Sequence, residues 1–233
     1  MKKNLLVLAF LVGLLTCCKS EDAPIKPVKP TDPGSINKEY MSRAETTFAN
    51  IFKYYWSDKV RMMFGSYPNT LGTPQEPSSP DYDSHAFLWG LGSVVSAFNA
   101  IVQNTDNVDF RMTYESRLKE TLLKYYNTTK EPMCFGCFVN PHDQRLYDDA
   151  IWVGIDLADL YSKTKDSWYL DYAKSVWNFV LSGKDDELGG GVYWDENAKD
   201  SKNTCSNAPA VVLALKLYQI TNDAAYLENG KDT

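Results

Sequence analysis

Apolar and aromatic residues recur at helical spacing in successive segments of this 233-residue chain. The segments cover residues 36–56, 85–103, 110–127, 148–162, 167–181 and 205–220, and a further turn begins at 224. In the first of them Ala44, Phe48, Ile51 and Tyr55 follow a period close to 3.6, which places them on one face of a helix. Signals for strands are few. The sequence therefore predicts an all-α fold.

The helical segments pair into hairpins of similar length. Related residues occur in two turns, at 166–170 and 222–227, and each turn follows a helix that ends in a stretch beginning with Tyr and closing with Thr. The spacing between the two turns gives a repeat of about 55 residues. A repeated helical hairpin is typical of a solenoid or of a closed α/α toroid.

In a closed toroid the loops that precede the inner helices meet on one face of the ring. Polar residues carried by these loops then converge on a single cleft. We therefore expect Tyr67, Asp83, Asp148 and Trp194 to approach one another.

The first 18 residues have the pattern of a bacterial lipoprotein signal peptide. A positively charged start precedes an apolar run at 5–15, which is too short to span a bilayer because about 20 residues are needed. Either Cys17 or Cys18 could be lipidated, and Cys18 is favoured because Leu15 lies three residues before it. The competing interpretation is a plain secretory signal with an incidental cysteine pair.

Residues 19–35 carry a proline at every third position from Pro24 onward, separated by charged and polar residues. Such a segment cannot bury apolar surface and favours extended polyproline geometry. The predicted organisation is thus a signal peptide (1–18), a tether (19–35) and a partial catalytic domain (36–233). We expect an outer-membrane lipoprotein at the cell surface, held in the membrane through a lipid anchor.

Composition disfavours several classes of function. A net charge of −6 without a basic cluster does not suit a nucleic-acid partner. His85, interpreted as a residue at a helix start, and His142 lie far apart, so neither a histidine-based metal centre nor a cofactor is predicted. Cys134 and Cys137 form a CxxC motif without the second pair of a zinc ribbon. Either these two cysteines form a local disulfide that leaves Cys205 unpaired, or all three cysteines are small buried hydrophobic residues.

Asp148 and Asp149 stand side by side at the predicted start of a helix. Glycoside hydrolysis requires one carboxyl group to protonate the leaving oxygen and another to attack the anomeric carbon or to activate water. Neighbouring carboxylates push their pKa values apart, so one of them can hold a proton near neutral pH. Because adjacent helical residues point about 100° apart, both can reach one sugar only at the helix start. The spacing leaves retention and inversion open, and the pair could instead cap the helix.

Three motifs occur in a specific order along the chain. They are Tyr147-Asp148-Asp149-Ala150-Ile151-Trp152, Gly190-Gly191-Val192-Tyr193-Trp194-Asp195, and Lys202-Asn203-Thr204 followed by Asn207-Ala208-Pro209-Ala210. The combination resembles glycoside hydrolase family 76, the α-1,6-mannanases that cut the fungal mannan backbone, over residues from about 36 to 227. The resemblance implies an (α/α)6 toroid and cleavage inside the α-mannan chain with retention of configuration. It also implies that Asp148 is the nucleophile and Asp149 the acid/base.

Five aromatic residues are candidates for binding the sugar, because aromatic rings stack on pyranose faces. They are Tyr147, Trp152, Trp89, Tyr193 and Trp194. Trp152 follows the two aspartates by four and three positions and therefore shares their helix face. Tyr147 could orient a carboxylate through its hydroxyl group. Each of the five could instead pack in the core or within a loop.

An (α/α)6 toroid has six hairpins and hence twelve helices, whereas the sequence predicts six helices and the start of a seventh. We therefore expect about the N-terminal half of a toroid and interpret the chain as a truncated enzyme. Three alternatives stay open. One is another toroid enzyme acting on sugars, such as an unsaturated uronyl hydrolase or an epimerase. The others are a surface lipoprotein that binds glycans without cleaving them and an inactive fragment of a mannanase.

Overall fold

A computed structural model describes residues 33–68, 85–139 and 144–233, with side chains from residue 37 onward. The chain divides into two compact units, Met1–Lys38 and Glu39–Thr233. In the first unit, only the beginning of one helix is described. The predicted signal peptide, the lipidated Cys18 and most of the predicted tether lie outside the described residues.

Within these ranges the chain forms seven α-helices and four short strands. The helices are α1 (Pro33–Tyr55), α2 (Leu88–Asn104), α3 (Val108–Tyr125), α4 (Tyr147–Thr164), α5 (Ser167–Ser182), α6 (Thr204–Thr221) and α7 (Ala224–Lys231). The strands are β1 (Trp56–Ser57), β2 (Met62–Met63), β3 (Tyr126–Asn127) and β4 (Cys134–Phe135), which pair antiparallel as β1–β2 and β3–β4. None of the helices in these ranges combines the length and apolar character required to cross a bilayer. The predicted all-α class is confirmed.

Helix α4 lies at the centre of the fold. It packs against α2, α5 and α6, and α7 packs in turn against α6. Helix α1 contributes Phe48, whose ring contacts Phe98 of α2 and Phe110 of α3 with centroids 6.0 and 5.3 Å away. The helices therefore form successive hairpins, with α2, α4 and α6 as neighbours and α3 and α5 as the returning segments between them.

The two related turns noted in the sequence have the same structure. Segments 161–166 and 218–223 each place their fifth residue, Lys165 or Asn222, in the left-handed conformation, with φ of 61° and 56°. The N–H of that residue donates to the carbonyl of the tyrosine that opens the segment. The next residue, Asp166 or its counterpart, accepts a hydrogen bond as the N-cap of the following helix. The repeat in the sequence is therefore a repeated helix-turn-helix connection.

Helix α2 begins at Leu88, three residues later than predicted. His85 pairs with Phe64 in an isolated antiparallel bridge, and the N–H of Ala86 donates to the carbonyl of Met63. These backbone bonds keep the chain extended up to the N-cap residue Phe87, whose side chain makes no capping hydrogen bond. Long-range backbone pairing thus shortens the helix that local periodicity predicts.

Gly154 permits the close approach of the central helices. A Cβ atom at this position would lie 2.9 Å from Val176 Cγ1 on α5 and 3.1 Å from Leu213 Cδ2 on α6. Real Cβ atoms require more space than this, so a larger residue would push the neighbouring helices outward. The glycine therefore holds α4 close to both neighbours.

The segment 192–194, which has the composition of a strand, is not a continuous strand. Val192 and Asp195 make isolated bridges with Lys184 and Leu146. The side chain of Asn207 on α6 accepts from the N–H of Val192 at 2.7 Å and donates to its carbonyl at 3.0 Å. In a regular strand, one neighbouring strand would take all of these backbone hydrogen bonds. Here they are divided among two different segments and the side chain of Asn207. The second motif is therefore a loop, fixed to α6 by a residue of the third motif.

Candidate active site

The two adjacent aspartates lie in the first turn of α4. Leu146 occupies the N-cap position without a side-chain capping bond, so neither aspartate caps the helix and the capping interpretation is wrong. The first helical N–H, that of Tyr147, donates to the backbone carbonyl of Trp194 at 3.0 Å. A backbone carbonyl from another loop thus accepts a hydrogen bond from one of the N–H groups that have no partner within the helix. Both carboxylates are consequently available at the positive end of the helix, which favours negative charge.

Asp148 is only 8% exposed. Its Oδ2 accepts a hydrogen bond from Trp194 Nε1 at 3.2 Å. Its Oδ1 is buried and has no hydrogen-bond partner among the described residues. A buried carboxylate oxygen without a donor is costly, which is why such an atom is expected where a ligand or reacting atom binds. The side chain of Cys205, although exposed, lies beside Asp148. Partial desolvation, and secondarily the charge of this carboxylate, raise the pKa of its thiol.

Asp149 is 9% exposed and has a strongly perturbed acidity. Burial, and secondarily the neighbouring charge of Asp148, raise the pKa of Asp149 to about 6. A hydrogen bond from the thiol of Cys137 partly opposes this rise. An acid with this pKa can carry a proton in mildly acidic solution and release it near neutrality. The two neighbouring carboxyl groups therefore differ in their surroundings, as an acid and a nucleophile require.

We expect Asp149→Asn to stabilise the protein at about pH 8 and to leave its stability unchanged at about pH 4. Between the unfolded pKa of about 3.9 and the folded pKa of about 6, the native state binds more protons, so stability falls as pH rises through this window. A shift of about 2 pKa units corresponds to at most about 3 kcal/mol, which the amide removes. Urea unfolding at the two pH values measures the difference. The exposed Asp106→Asn variant is the control, and a stability difference that is independent of pH would contradict the prediction.

Trp89 and Trp152 flank a cavity of about 290 Å³ next to Asp149. Both rings are well exposed, at 53% and 41%. The cavity lies between α2 and α4, and Gly92, Ser93 and Ser96 complete its lining. Two exposed indole rings in one cavity with a carboxylate are suited to stacking against sugar rings. The structure thus brings two of the predicted aromatic residues to Asp149.

Trp194 contacts the other carboxylate and is 37% exposed. The remaining two aromatic candidates lie in the core. Tyr147 stacks on Phe179 with ring centroids 4.3 Å apart, and the hydroxyl group of Tyr193 donates to the carboxylate of Asp185. Burial of Tyr147 and Tyr193 favours their packing interpretation. Their assignment to substrate binding stays a prediction.

Tyr67 and His85, two further residues that the sequence singled out, contact residues other than the acids. Tyr67 packs against Tyr54 with ring centroids 4.9 Å apart, and Asp83 and His142 lie outside the described residues. His85 lies before α2, and burial lowers the pKa of its ring. In the described part of the chain, no cluster of three His, Cys, Asp or Glu side chains is arranged to hold a metal ion.

The three cysteines outside the N-terminal segment are free thiols. Cys134 and Cys137 are buried, as the second interpretation expects, but Cys205 is exposed, and the local disulfide of the first interpretation does not form. Burial raises the pKa of the Cys134 thiol to about 12 and also strongly raises that of Cys137. Both thiols therefore stay protonated near neutral pH, and Cys137 acts as a hydrogen-bond donor to Asp149.

Sequence reasoning missed the polar residues on α2 that line the cavity. The hydroxyl group of Ser93 donates to the carbonyl of Trp89 at 3.3 Å, and that of Ser96 donates to the carboxylate of Asp156. With their protons engaged, both hydroxyl oxygens retain lone pairs that can accept hydrogen bonds. Ser93 and Ser96 follow Trp89 by four and seven positions, so helical spacing was the signal that could have found them.

The chain is similar to known glycosidases. A family model described as glycosyl hydrolase family 76 matches residues 39–233. A family 76 glycoside hydrolase (mannosidase) of Bacteroides thetaiotaomicron superposes with a TM-score of 0.70 at 25% identity, covering 83% of this chain and 52% of that chain. A family 76 glycoside hydrolase from a bovine strain of the same species gives a TM-score of 0.70 at 30% identity, covering 83% and 40%.

A third similar structure contains a bound oligosaccharide. It is an inactive variant of the α-1,6-mannanase of a Salegentibacter species, with two consecutive aspartates replaced, in complex with α-1,6-mannotetrose. Its TM-score is 0.59 at 22% identity, and the match covers 82% of this chain and 49% of that chain. Comparison with curated proteins found no match. The chain spans about half the length of the solved structures that it matches, which confirms the expected fold of about half an α/α toroid.

Proposed function

Because the chain belongs to glycosyl hydrolase family 76, we propose that it hydrolyses the α-1,6-linked backbone of mannan, cutting inside the polymer with retention of configuration. One observation carries this proposal. Two adjacent buried carboxyl groups share the first turn of α4, and only one of them receives the indole hydrogen bond while the other has a pKa of about 6. A pair with such different surroundings can supply both the proton donor and the nucleophile that glycoside cleavage requires.

In the proposed reaction, Asp149 acts as the acid. It transfers its proton to the glycosidic oxygen as the bond from that oxygen to the anomeric carbon breaks. Asp148 attacks the anomeric carbon and forms a covalent glycosyl-enzyme ester. The indole N–H of Trp194 donates to Oδ2 of Asp148, which fixes the orientation of the attacking carboxylate. The deprotonated Asp149 then takes a proton from water, which attacks the ester and releases the sugar and Asp148.

A comparison of the two Asp-Asp pairs of this sequence supports the choice of residues. The inactive Salegentibacter variant has two consecutive aspartates replaced. In this chain the other pair is Asp185 and Asp186. Asp185 accepts from Lys202 at 2.6 Å and from Tyr193 at 3.0 Å, and the Lys202 hydrogen bond lowers the pKa of its carboxyl group. An ion-paired aspartate of this kind holds a loop in place, which leaves Asp148 and Asp149 for catalysis.

The proposed substrate site extends from the acids along α2. Trp89 and Trp152 would stack on mannose rings in the cavity that they share with Asp149. Ser93 and Ser96 would accept hydrogen bonds from sugar hydroxyl groups, since their own protons are engaged. A mixture of aromatic platforms and a few fixed polar groups is the usual composition of a small-molecule site.

We expect the protein to release manno-oligosaccharides of several lengths from yeast α-mannan stripped of its side chains. Internal cleavage produces a range of sizes early, whereas removal of single terminal sugars does not. Chromatography of early time points measures the sizes, and proton NMR of the first product measures its anomeric configuration, which retention predicts to be α. Mannans without α-1,6 linkages are the control.

Binding to debranched mannan without any release of sugar would contradict the proposal and favour the alternative of a non-catalytic glycan-binding protein. Release of mannose alone would argue against internal cleavage. A β-configured first product would exclude the double-displacement role of Asp148, although hydrolysis itself would stand.

A further inference from the structure

The loop that carries Trp194 is tied to the residues immediately before α4. The carbonyl of Trp194 accepts from Tyr147 N–H at 3.0 Å, and the N–H of Glu196 donates to the carbonyl of Arg145 at 3.2 Å. Between these bonds, Asp195 pairs with Leu146 in an antiparallel bridge. The position of the indole ring relative to Asp148 is therefore set by how this short ladder is held.

Arg145 holds the ladder from inside the protein. It is fully buried, and its guanidinium group forms a two-pronged ion pair with Glu196, with Nε–Oε2 at 2.8 Å. Its Nη1 donates to the carbonyls of Pro132 at 2.6 Å and Lys130 at 3.2 Å. Its guanidinium carbon lies 4.7 Å from the centre of the Phe179 ring. One side chain thus joins the Glu196 loop, the 130–132 loop, α5 and the start of α4.

A buried ion pair of this kind is a poor source of net stability. The cost of removing both charges from water commonly matches or exceeds their attraction, and apolar residues of similar volume often serve as well. The planar fork of arginine instead fixes geometry, because both prongs must meet both carboxylate oxygens at once. The geometry that depends on this pair is the contact from Trp194 Nε1 to Asp148 Oδ2 at 3.2 Å.

We propose that Arg145 and Glu196 are positioning residues for the nucleophile, acting through Trp194. The pair fixes the loop, the loop places the indole N–H on Oδ2 of Asp148, and this hydrogen bond fixes the orientation of the attacking carboxylate. This inference rests on the proposed function, in which Asp148 attacks the sugar. It predicts that the ion pair affects the rate of the chemical step rather than the binding of substrate.

The test is a double-mutant cycle in kcat between Glu196→Gln and Trp194→Phe. Each single variant is expected to lower kcat about tenfold, the effect of losing one well-placed hydrogen bond to a carboxylate, with KM changed less than about twofold. The double variant is expected to be no slower than the slower single variant, because both changes remove the same contact. Glu120→Gln is the matched control, since it breaks the bidentate pair of Arg61 and Glu120 and should leave kcat unchanged.

A second readout does not depend on activity. In a protein labelled with ¹⁵N-tryptophan, the indole N–H signal assigned by Trp194→Phe is expected to shift in Asp148→Ala, which removes the acceptor, and to shift likewise in Glu196→Gln. If Glu196→Gln does not fold, the shorter Glu196→Asp, which keeps the charge but cannot span the same distance, replaces it in both experiments.

The outcomes separate the two proposals. A wild-type protein without mannanase activity overturns the proposed function, whereas the indole signal still tests the contact. In an active wild type, multiplicative losses in the double variant, an unchanged kcat in Glu196→Gln, or an unmoved indole signal would each overturn the positioning role.

Discussion

Replacing Asp148 by asparagine is expected to lower the rate of α-mannan hydrolysis by about 10⁴-fold or more, with little change in stability. Removal of a catalytic nucleophile commonly costs this much, because the remaining groups stabilise the transition state without offering the covalent route. Asparagine has the shape of aspartate, and its side-chain oxygen can still accept from Trp194 Nε1. The loss therefore reports chemistry rather than folding. Initial rates of reducing-sugar release measure it.

The matched control is Asp186→Asn, the same chemical change in the second Asp-Asp pair. Asp186 is exposed, and its variant should retain wild-type rates. Residual activity of Asp148→Asn within about tenfold of the wild type would remove this residue from the role of nucleophile. Equal losses in Asp148→Asn and Asp186→Asn would indicate that the measurements follow general damage to the protein and not the site.

The position of the two acids could be predicted from the sequence because local rules determine where a helix begins. Two aspartates directly before an apolar periodic run predict a helix start, and they lie in the first turn of α4. The sequence alone could not show whether the two aspartates cap the helix or lie in its first turn. That choice depends on the backbone carbonyl of Trp194, which comes from a loop 47 positions after Tyr147 and fulfils the capping need.

Residue type alone also could not sort the aromatic candidates. Trp152 and Tyr147 flank the same two aspartates in sequence, yet one ring is 41% exposed and the other 2%. The difference follows from the helix: Trp152 faces the cavity beside α2, whereas Tyr147 faces α5 and stacks on Phe179. Sequence periodicity gives the direction of a side chain relative to its own helix, and only the neighbouring helices decide whether that direction is core or cavity.

The surroundings of Asp149 are the feature of the site that was least predictable from the sequence. Its partner Cys137 lies in a loop between β4 and α4. The carbonyl of Cys137 accepts from the N–H of Leu88, and the N–H of Cys137 donates to the carbonyl of Gln144. In the sequence this cysteine is visible only as part of a CxxC motif, and nothing in the motif indicates its contact with an acid. The predictions on the N-terminal segment, including lipidation of Cys18, stay predictions because those residues are not described.

Replacing Asp149 by asparagine is expected to lower mannan hydrolysis about 10³-fold, through loss of general acid catalysis. The loss should depend on the leaving group. A dinitrophenyl α-mannoside carries a leaving group that needs no protonation, so the variant should form the glycosyl-enzyme at close to the wild-type rate. Hydrolysis of the glycosyl-enzyme then lacks its general base, which is Asp149 in the wild type. A burst of dinitrophenol followed by a slow steady state is therefore expected. Stopped-flow absorbance measures both phases.

The pH profile supplies an independent measure of the same role. Since Asp149 must be protonated to act as an acid and has a pKa of about 6, wild-type kcat/KM on mannan should fall as pH rises through about 6. In Asp149→Asn, the burst rate on the dinitrophenyl substrate should not show this decline. A wild-type profile that stays flat up to about pH 8 would show that another group donates the proton. Equal losses of the Asn variant on both substrates would assign Asp149 to a role other than protonation of the leaving group, because only that role is bypassed when the leaving group is already stable as an anion.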